Sequence, residues 1–356
     1  MPLSNFLRRL DRLRRRSTLG LATRLNRWLG HSRHLTETRL PNEDVRQILV
    51  VRNNKRIGNM YFLLPFIREV RHAYPNAQID LMIIHQGQSR IFLNLGLRHT
   101  FVSQFAFATF LPFLKTMRKV RHNVYDLLLM PHNSASDTLI CAFIHARNKV
   151  AFHDGKTVGV FRHAIQQTPA SHHAALSPLT ILSALGHSVG QVSHTIEFTE
   201  REQEKAWQTV SILQADAPWC FAYFRGARGN KIIDDATWHT IRQKFDEATH
   251  HNTQWVEILS PDITTPLTPE TVTFASADLR ELGAVLSAMD LFVCGDTGPL
   301  HLADAANARC VGLYTATSPI HYGVLNDKSI NVTDIDNLDA QAIVRQITDS
   351  RASNNT

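Results

Sequence analysis

The sequence predicts an α/β protein built from two Rossmann-like, doubly wound domains. Three observations carry that prediction. First, residues 47–153 alternate short apolar runs with amphipathic helical stretches. Such βα alternation implies a parallel sheet with helices on both faces. Second, the same alternation starts afresh at residue 219, after an irregular section over 154–198, and lasts to about 348. Third, 356 residues with 44% apolar and 19% charged side chains is a globular composition of two-domain length.

In chain order, 48–51 is the first expected strand. A helix follows over 58–73, ended before Pro75, then a strand over 79–84 and a helix over 89–95. Residues 101–102 read as a short extended piece, 111–121 as a helix, and 125–130 as a strand stopped by Pro131. A helix over 134–145 and an extended run over 149–152 complete this half. The irregular section holds one helix near 176–185. The second half reads as helix 200–213, strand 219–224, helix 235–248, strand 254–259, extended run 272–274 and helix 279–289. Apolar runs at 291–294 and 310–314 are two further strands, and a last helix spans 338–348. The expected domains are an arm at 1–44, an N-terminal domain at 45–198, a C-terminal domain at 199–335, and a helix with a tail at 336–356.

Charge is unevenly distributed. Residues 1–40 hold ten Arg against Asp11 and Glu37, a net +8, whereas the whole chain is +7 and the remainder is therefore −1. In the arm, Phe6, Leu7, Leu10 and Leu13, then Leu21, Leu25, Trp28 and Leu29, recur at helical spacing with arginines between them. That pattern suits a helix lying on an anionic membrane surface, with packing on protein as the alternative. The apolar stripe argues against a nucleic-acid arm. No run of ~18 apolar residues is present, so no membrane-spanning helix is expected. Cys141, Cys220, Cys294 and Cys310 lack C-x-x-C spacing and read as buried thiols in a reducing compartment.

Three glycine-bearing loops carry the chemistry. After the strand at 291–294 comes Gly295-Asp296-Thr297-Gly298 and then, at once, a helical pattern. A strand that breaks into glycines at a helix start gathers unpaired N–H groups where an anion is favoured; an ordinary strand-to-helix turn is the plain alternative. After the strand at 219–224 comes Arg225-Gly226-Ala227-Arg228-Gly229-Asn230-Lys231, with cations suited to a diphosphate. After the first strand comes Arg52-Asn53-Asn54-Lys55-Arg56-Ile57-Gly58-Asn59. No dinucleotide or P-loop glycine motif occurs. Metal use is not expected: Asp334-Ile335-Asp336 precedes the last helix, and His172-His173 and His250-His251 are adjacent pairs.

GDTGPLHLADAA with the following VGLYTATSP resembles the D-[ST]-G-x-x-H-x-A-A signature of the lipopolysaccharide heptosyltransferases, glycosyltransferase family 9. The likeness extends weakly over 46–330. It implies the GT-B fold, two Rossmann-like domains facing a central cleft, and an inverting, metal-independent and cofactor-free transfer of heptose. ADP-heptose is the implied donor. The implied acceptor is a lipopolysaccharide core, with the enzyme cytoplasmic and peripheral on the inner membrane. Donor contacts would come from Gly226, Lys231, Asp296, Thr297, Gly298 and His301, with Thr315–Pro319 closing one side; His301 could equally be structural. Trp238 roughly matches a family tryptophan, Arg225 replaces a family proline, and Asp262 is a candidate ribose contact. Acceptor contacts would come from Arg52, Lys55, Arg56 and Gly58.

One departure bears on mechanism. The family's base is the Asp of a Gly-Asp pair, and here that position is Asn59. A carboxamide cannot take a proton from the attacking hydroxyl. Three readings stand: Asn59 orients the acceptor while His132 or His85 is the base; the acceptor is itself acidic; or the protein binds sugar nucleotide or core oligosaccharide with little turnover. A transferase using another nucleotide sugar is a further alternative.

Overall fold

The computed structural model describes residues 38–104, 110–154, 159–166 and 172–354. The arm expected over 1–44 thus lies outside the described residues as far as 37. Its remainder is anchored: Leu40 N–H donates to Asn148 Oδ1 at 2.9 Å, and Asn42 Nδ2 donates to Leu185 O at 3.0 Å.

The first βα series comprises β1 (Gln47–Val51), α1 (Gly58–Tyr61), α2 (Leu64–Ala73), β2 (Gln78–Ile83), β3 (Leu97–Val102), α3 (Phe110–His122), β4 (Tyr125–Met130), α4 (Ala135–Phe143), β5 (Ala146–Phe152), β6 (His163–Ile165) and α5 (Leu179–Ala184). Its sheet is parallel throughout, in the order β3-β2-β1-β4-β5-β6. Ile48, Leu49, Val50 and Val51 of the central β1 are all fully buried. A central strand covered on both faces reads as a continuous apolar run for this reason.

The second series comprises α6 (Glu200–Gln214), β7 (Trp219–Phe224), α7 (Asp235–Ala248), β8 (Thr253–Ile258), β9 (Val272–Phe274), α8 (Leu279–Ala288), β10 (Leu291–Gly295), α9 (Gly298–Ala305), β11 (Cys310–Leu313), α10 (Pro319–Tyr322), β12 (Ile330–Val332) and α11 (Ala340–Asn354). Its sheet, again parallel, runs β12-β11-β10-β7-β8-β9. Counted from β7, this is the same winding as the first. Phe221, Tyr223, Trp238, Phe245 and Trp255 fill one face of it with Val293, Leu313, Ile343 and Ile347. Trp238 is thus a core residue, its ring 5.6 Å from that of Tyr223.

In each sheet the strand order reverses once, between β1 and β4 and between β7 and β10. Open α/β sheets bind ligands at the carboxyl ends of the strands flanking such a reversal. The loops after β1, β7 and β10 are the three singled out in the sequence.

Local differences from the sequence reading have identifiable causes. The helix expected over 58–73 is two helices, because Pro65 offers no N–H and its ring crowds the carbonyl of residue 61. A 3-10 turn, Gln86–Phe92, replaces the helix at 89–95. β3 begins four residues earlier than expected. β6 and β12 are additional to the expected elements; both are three-residue, half-buried edge strands with little periodic signal.

The chain divides into two compact units, and the division is not the expected one at 198/199. One unit holds the described residues up to Lys55 with those of Pro65–Ser171 and Leu176–Val192. The other holds Arg56–Leu64, His172–Ala175 and the chain from Ser193 onward. The segment bearing Gly58 and Asn59 therefore packs with the second sheet's unit.

Candidate active site

The site is assembled around Asp296, which follows β10 and is 5% exposed. Its Oδ1 lies 3.0 Å from His301 Nε2. A carboxylate only accepts, so Nε2 carries the shared proton. Its Oδ2 accepts from Thr317 Oγ1 at 2.5 Å and pairs with the Lys231 ammonium. Lys231 Nζ also donates to the Asp296 carbonyl at 3.0 Å. Burial raises the Asp296 pKa, but bonds from His301, Lys231 and Thr317 outweigh it and hold this carboxyl well below the usual range. Asp296 thus stays anionic and ties together the loops after β7, β10 and β11 and the first turn of α9.

Thr297 is the N-cap of α9, yet its hydroxyl makes no capping bond and stands 3.4 Å from Cys294 Sγ. Pro299 in the first turn needs no N–H partner there. Lys231 ends a short 3-10 turn, Gly229–Lys231, that directs it at Asp296. Gly226 is required by packing, because a Cβ there would lie 2.2 Å from the Phe224 ring. Arg225 is fully committed: it donates to Glu257 Oε1 at 2.6 Å, to Asp235 Oδ1 at 2.9 Å and to Thr265 O at 2.9 Å. Arg228 pairs with Asp262 at 2.6 Å, both side chains exposed.

The Gly58 segment seats on α9. A Cβ on Gly58 would come within 2.8 Å of His301 Cδ2 and 3.4 Å of Gly298 Cα, and one on Gly298 would meet Ile57 Cγ2 at 2.6 Å. Phe62 packs on the other side, its ring 4.5 Å from that of His301. His301 is 6% exposed, and its Nδ1 has no partner among the described residues. Asn59, next to this contact, is half-buried.

The first unit receives Arg52, Lys55, His85 and His132, whereas Arg56 begins the segment that packs with the second. Arg52 is buried beside Asp137, and burial lowers its pKa against the pull of that carboxylate. Asp137 Oδ2 accepts Asn53 N–H at 3.3 Å, and burial pushes Asp137 up to about 6 despite Arg52. Lys55 and Arg56 are exposed. Burial, reinforced by Arg52, lowers His132 to about 3, and its Nε2 lacks a partner among the described residues. An imidazole so weak is a poor proton acceptor at neutral pH, which bears against the base role expected for it. His85 opens the 3-10 turn, its N–H donating to Gln88 Oε1 at 3.3 Å.

Sequence reasoning missed Phe62, Asp137 and Glu257. Ser134, whose Oγ accepts Asp137 N–H at 3.1 Å, forms a legible cap, but nothing in it marks Asp137 as buried. Glu257 is fully buried at the end of β8 and accepts from Tyr223 and Leu267 as well as Arg225. Among the described residues, no group of three or more His, Cys, Asp or Glu is placed to hold a metal ion. A cavity of about 360 Å³ lined by Arg242, Asp246, His251 and Thr271 lies beside β8 and shares no residue with this site.

Residues 113–348 match the profile of glycosyltransferase family 9 (heptosyltransferase). Lipopolysaccharide heptosyltransferase 3 of Escherichia coli is 22% identical over 290 residues, covering 74% of this chain and 82% of that protein. A family 9 glycosyltransferase from Veillonella parvula superposes with a TM-score of 0.71 at 18% identity, over 83% of this chain and 88% of its own. The E. coli heptosyltransferase WaaC, solved with ADP, gives 0.65 at 15% identity over 85% and 99%.

Proposed function

We propose a specific reaction for this chain, which belongs to glycosyltransferase family 9 and is a glycosyltransferase of two Rossmann-like α/β units: inverting, metal-independent transfer of heptose from ADP-heptose to a lipopolysaccharide core acceptor. The observation that carries the proposal is the Asp296 network. It joins Lys231 and His301 of α9 to the residue that precedes the Thr297 N-cap, at the second sheet's reversal. In the proposed reaction the diphosphate accepts from Lys231 and from the N–H groups of Gly298 and its neighbours. Helix polarity and the ammonium then stabilise the charge that develops on the leaving group. The ADP donor is supported by heptosyltransferase WaaC, a structural relative solved with ADP.

Asn59 is proposed to orient the acceptor hydroxyl beside Gly58, with Lys55 and Arg56 drawing an acidic core. The enzyme is proposed to work at the cytoplasmic face of the inner membrane. No helix among the described residues is long and apolar enough to cross a bilayer.

Calorimetry with ADP, UDP and GDP tests the donor. Tight ADP binding is expected, and tight UDP binding with none for ADP would replace heptose by another sugar. Asn59 and the weak His132 favour a second reading, a core-oligosaccharide or sugar-nucleotide binder with little turnover. Single-turnover transfer by the wild type and by Asn59→Asp separates the two. Brisk wild-type transfer, unchanged in the variant, removes the binding-only reading; a large gain in the variant supports it.

A further inference from the structure

α3 has two unlike faces. Val120 is fully buried and Met117 packs beside it on the first sheet's core, with Tyr125 and Leu128. The opposite face projects Leu111, 75% exposed, and Leu114, 45% exposed. Lys115, Arg118, Arg121 and His122 are exposed with them. At 3.6 residues per turn, positions 111, 114, 115, 118 and 122 form one stripe, with Arg121 at its margin. Lys119 borders it, its ammonium 5.6 Å from the Phe101 ring centroid. The surrounding chain sharpens the charge: residues 81–125 contain six Lys or Arg and no Asp or Glu. One of the six, Arg98, is held by Asp80 at 2.6 Å.

We propose that this face of α3 is a docking surface for an anionic lipid bilayer, with Leu111 and Leu114 entering the interface and Lys115, Arg118 and Arg121 meeting the phosphate headgroups. Exposed leucines set among cations on one helix stripe match the chemistry of an interfacial helix. The cations gain from the negative potential of the bilayer surface, and the leucines gain from leaving water. A second copy of the chain fits poorly, because two such faces would oppose like charges at close range. A nucleic acid would use the cations and leave both leucines in water. The surface lies in the first unit and is distinct in sequence from residues 1–40, whose own pattern predicts membrane contact. It rests on the proposed function only in that a lipid-linked acceptor gives the contact a purpose.

The test is a local probe in the full chain. All four native cysteines are buried, so Leu111→Cys can be labelled selectively with an environment-sensitive fluorophore. Gln203→Cys, on the exposed side of α6, is the reference. Vesicles of phosphatidylglycerol with phosphatidylethanolamine are expected to blue-shift the label at 111 and leave that at 203 unchanged. Pure phosphatidylcholine is expected to do neither. In the full chain, replacing Lys115, Arg118 and Arg121 by Gln is expected to weaken vesicle partitioning by about tenfold or more and to flatten its salt dependence. A silent label at 111 while the protein still sediments with vesicles assigns membrane binding to the arm and overturns the proposal. A shift that depends on protein concentration without vesicles assigns the face to self-association and overturns it equally. ADP calorimetry on the same samples reports separately on the donor site, so the two readings fail independently.

Discussion

Gly58 and His301 are in contact across two segments of one compact unit, and the contact leaves no room for a methyl group: a Cβ on Gly58 would stand 2.8 Å from His301 Cδ2. His301 cannot readily yield, because Asp296 holds its Nε2 at 3.0 Å and Phe62 lies against its ring. Gly58→Ala is therefore expected to destabilise the protein by about 1–3 kcal/mol, the usual cost of overpacking a close contact. It is also expected to weaken ADP binding, since the displaced imidazole drags Asp296 with it. Thermal unfolding with and without ADP reads both effects; an unchanged midpoint would show the segment to be free to move away.

Asp296→Asn removes an anion shared by Lys231, His301 and Thr317. Its carboxyl is held below the usual range, so the sign of the pH effect is fixed. The unfolded chain takes up this proton near pH 4, whereas the folded protein resists it. The stabilisation is complete above about pH 4 and is lost as the pH falls through the lower folded value. Denaturant titrations below pH 4 are expected to fall less steeply in the variant than in the wild type.

Asp137 has the opposite sign. Burial raises it to about 6, so the folded state holds this proton more tightly than the unfolded one. The stabilisation is complete below about pH 4 and is lost as the pH rises through 6. Asp137→Asn is expected to remove that decline between pH 4 and 6, at the cost of leaving buried Arg52 without its counter-charge. An unaltered slope over this window would show that Asp137 ionises normally.

Lys231→Gln keeps a polar side chain, one atom shorter, but loses the ammonium. A charge-assisted bond of ~1.5–3 kcal/mol corresponds to roughly ten- to a hundredfold weaker ADP binding. Calorimetry measures it directly. Equal affinity in the variant would place the diphosphate elsewhere.

His132→Gln is expected to leave the pH dependence of transfer unchanged between pH 5 and 8, because an imidazole near 3 does not titrate there. Loss of a limb in that profile would restore His132 as the base.

The strand alternation was legible because central parallel strands must be apolar throughout, as β1 and β10 are. The loops after β1, β7 and β10 were legible because each combines glycine with cations or a helix start downstream of a strand. What could not be read was which loop meets which. Gly58 was expected with the first domain, and only the assembled structure seats it against Gly298 and His301. Arg52 and Arg225 look like ligand cations in a linear sequence. Their carboxylate partners, Asp137 and Glu257, lie 85 and 32 positions away on other strands and helices. Periodicity carries no information about such pairings, and the same limit hid Phe62.

The excursion of Arg56–Leu64 into the second unit also governs how the gene could be divided. Among the described residues the polypeptide changes unit five times, after Lys55 and Leu64, before His172, and after Ala175 and Val192. Neither unit is thus encoded by one uninterrupted stretch, and a fragment starting at Ser193 would present α9 stripped of the strand-to-helix piece that covers it. Such a truncation should tend to self-associate through its bared surface, and a synthetic nonapeptide copying 56–64 should be able to bind back in trans.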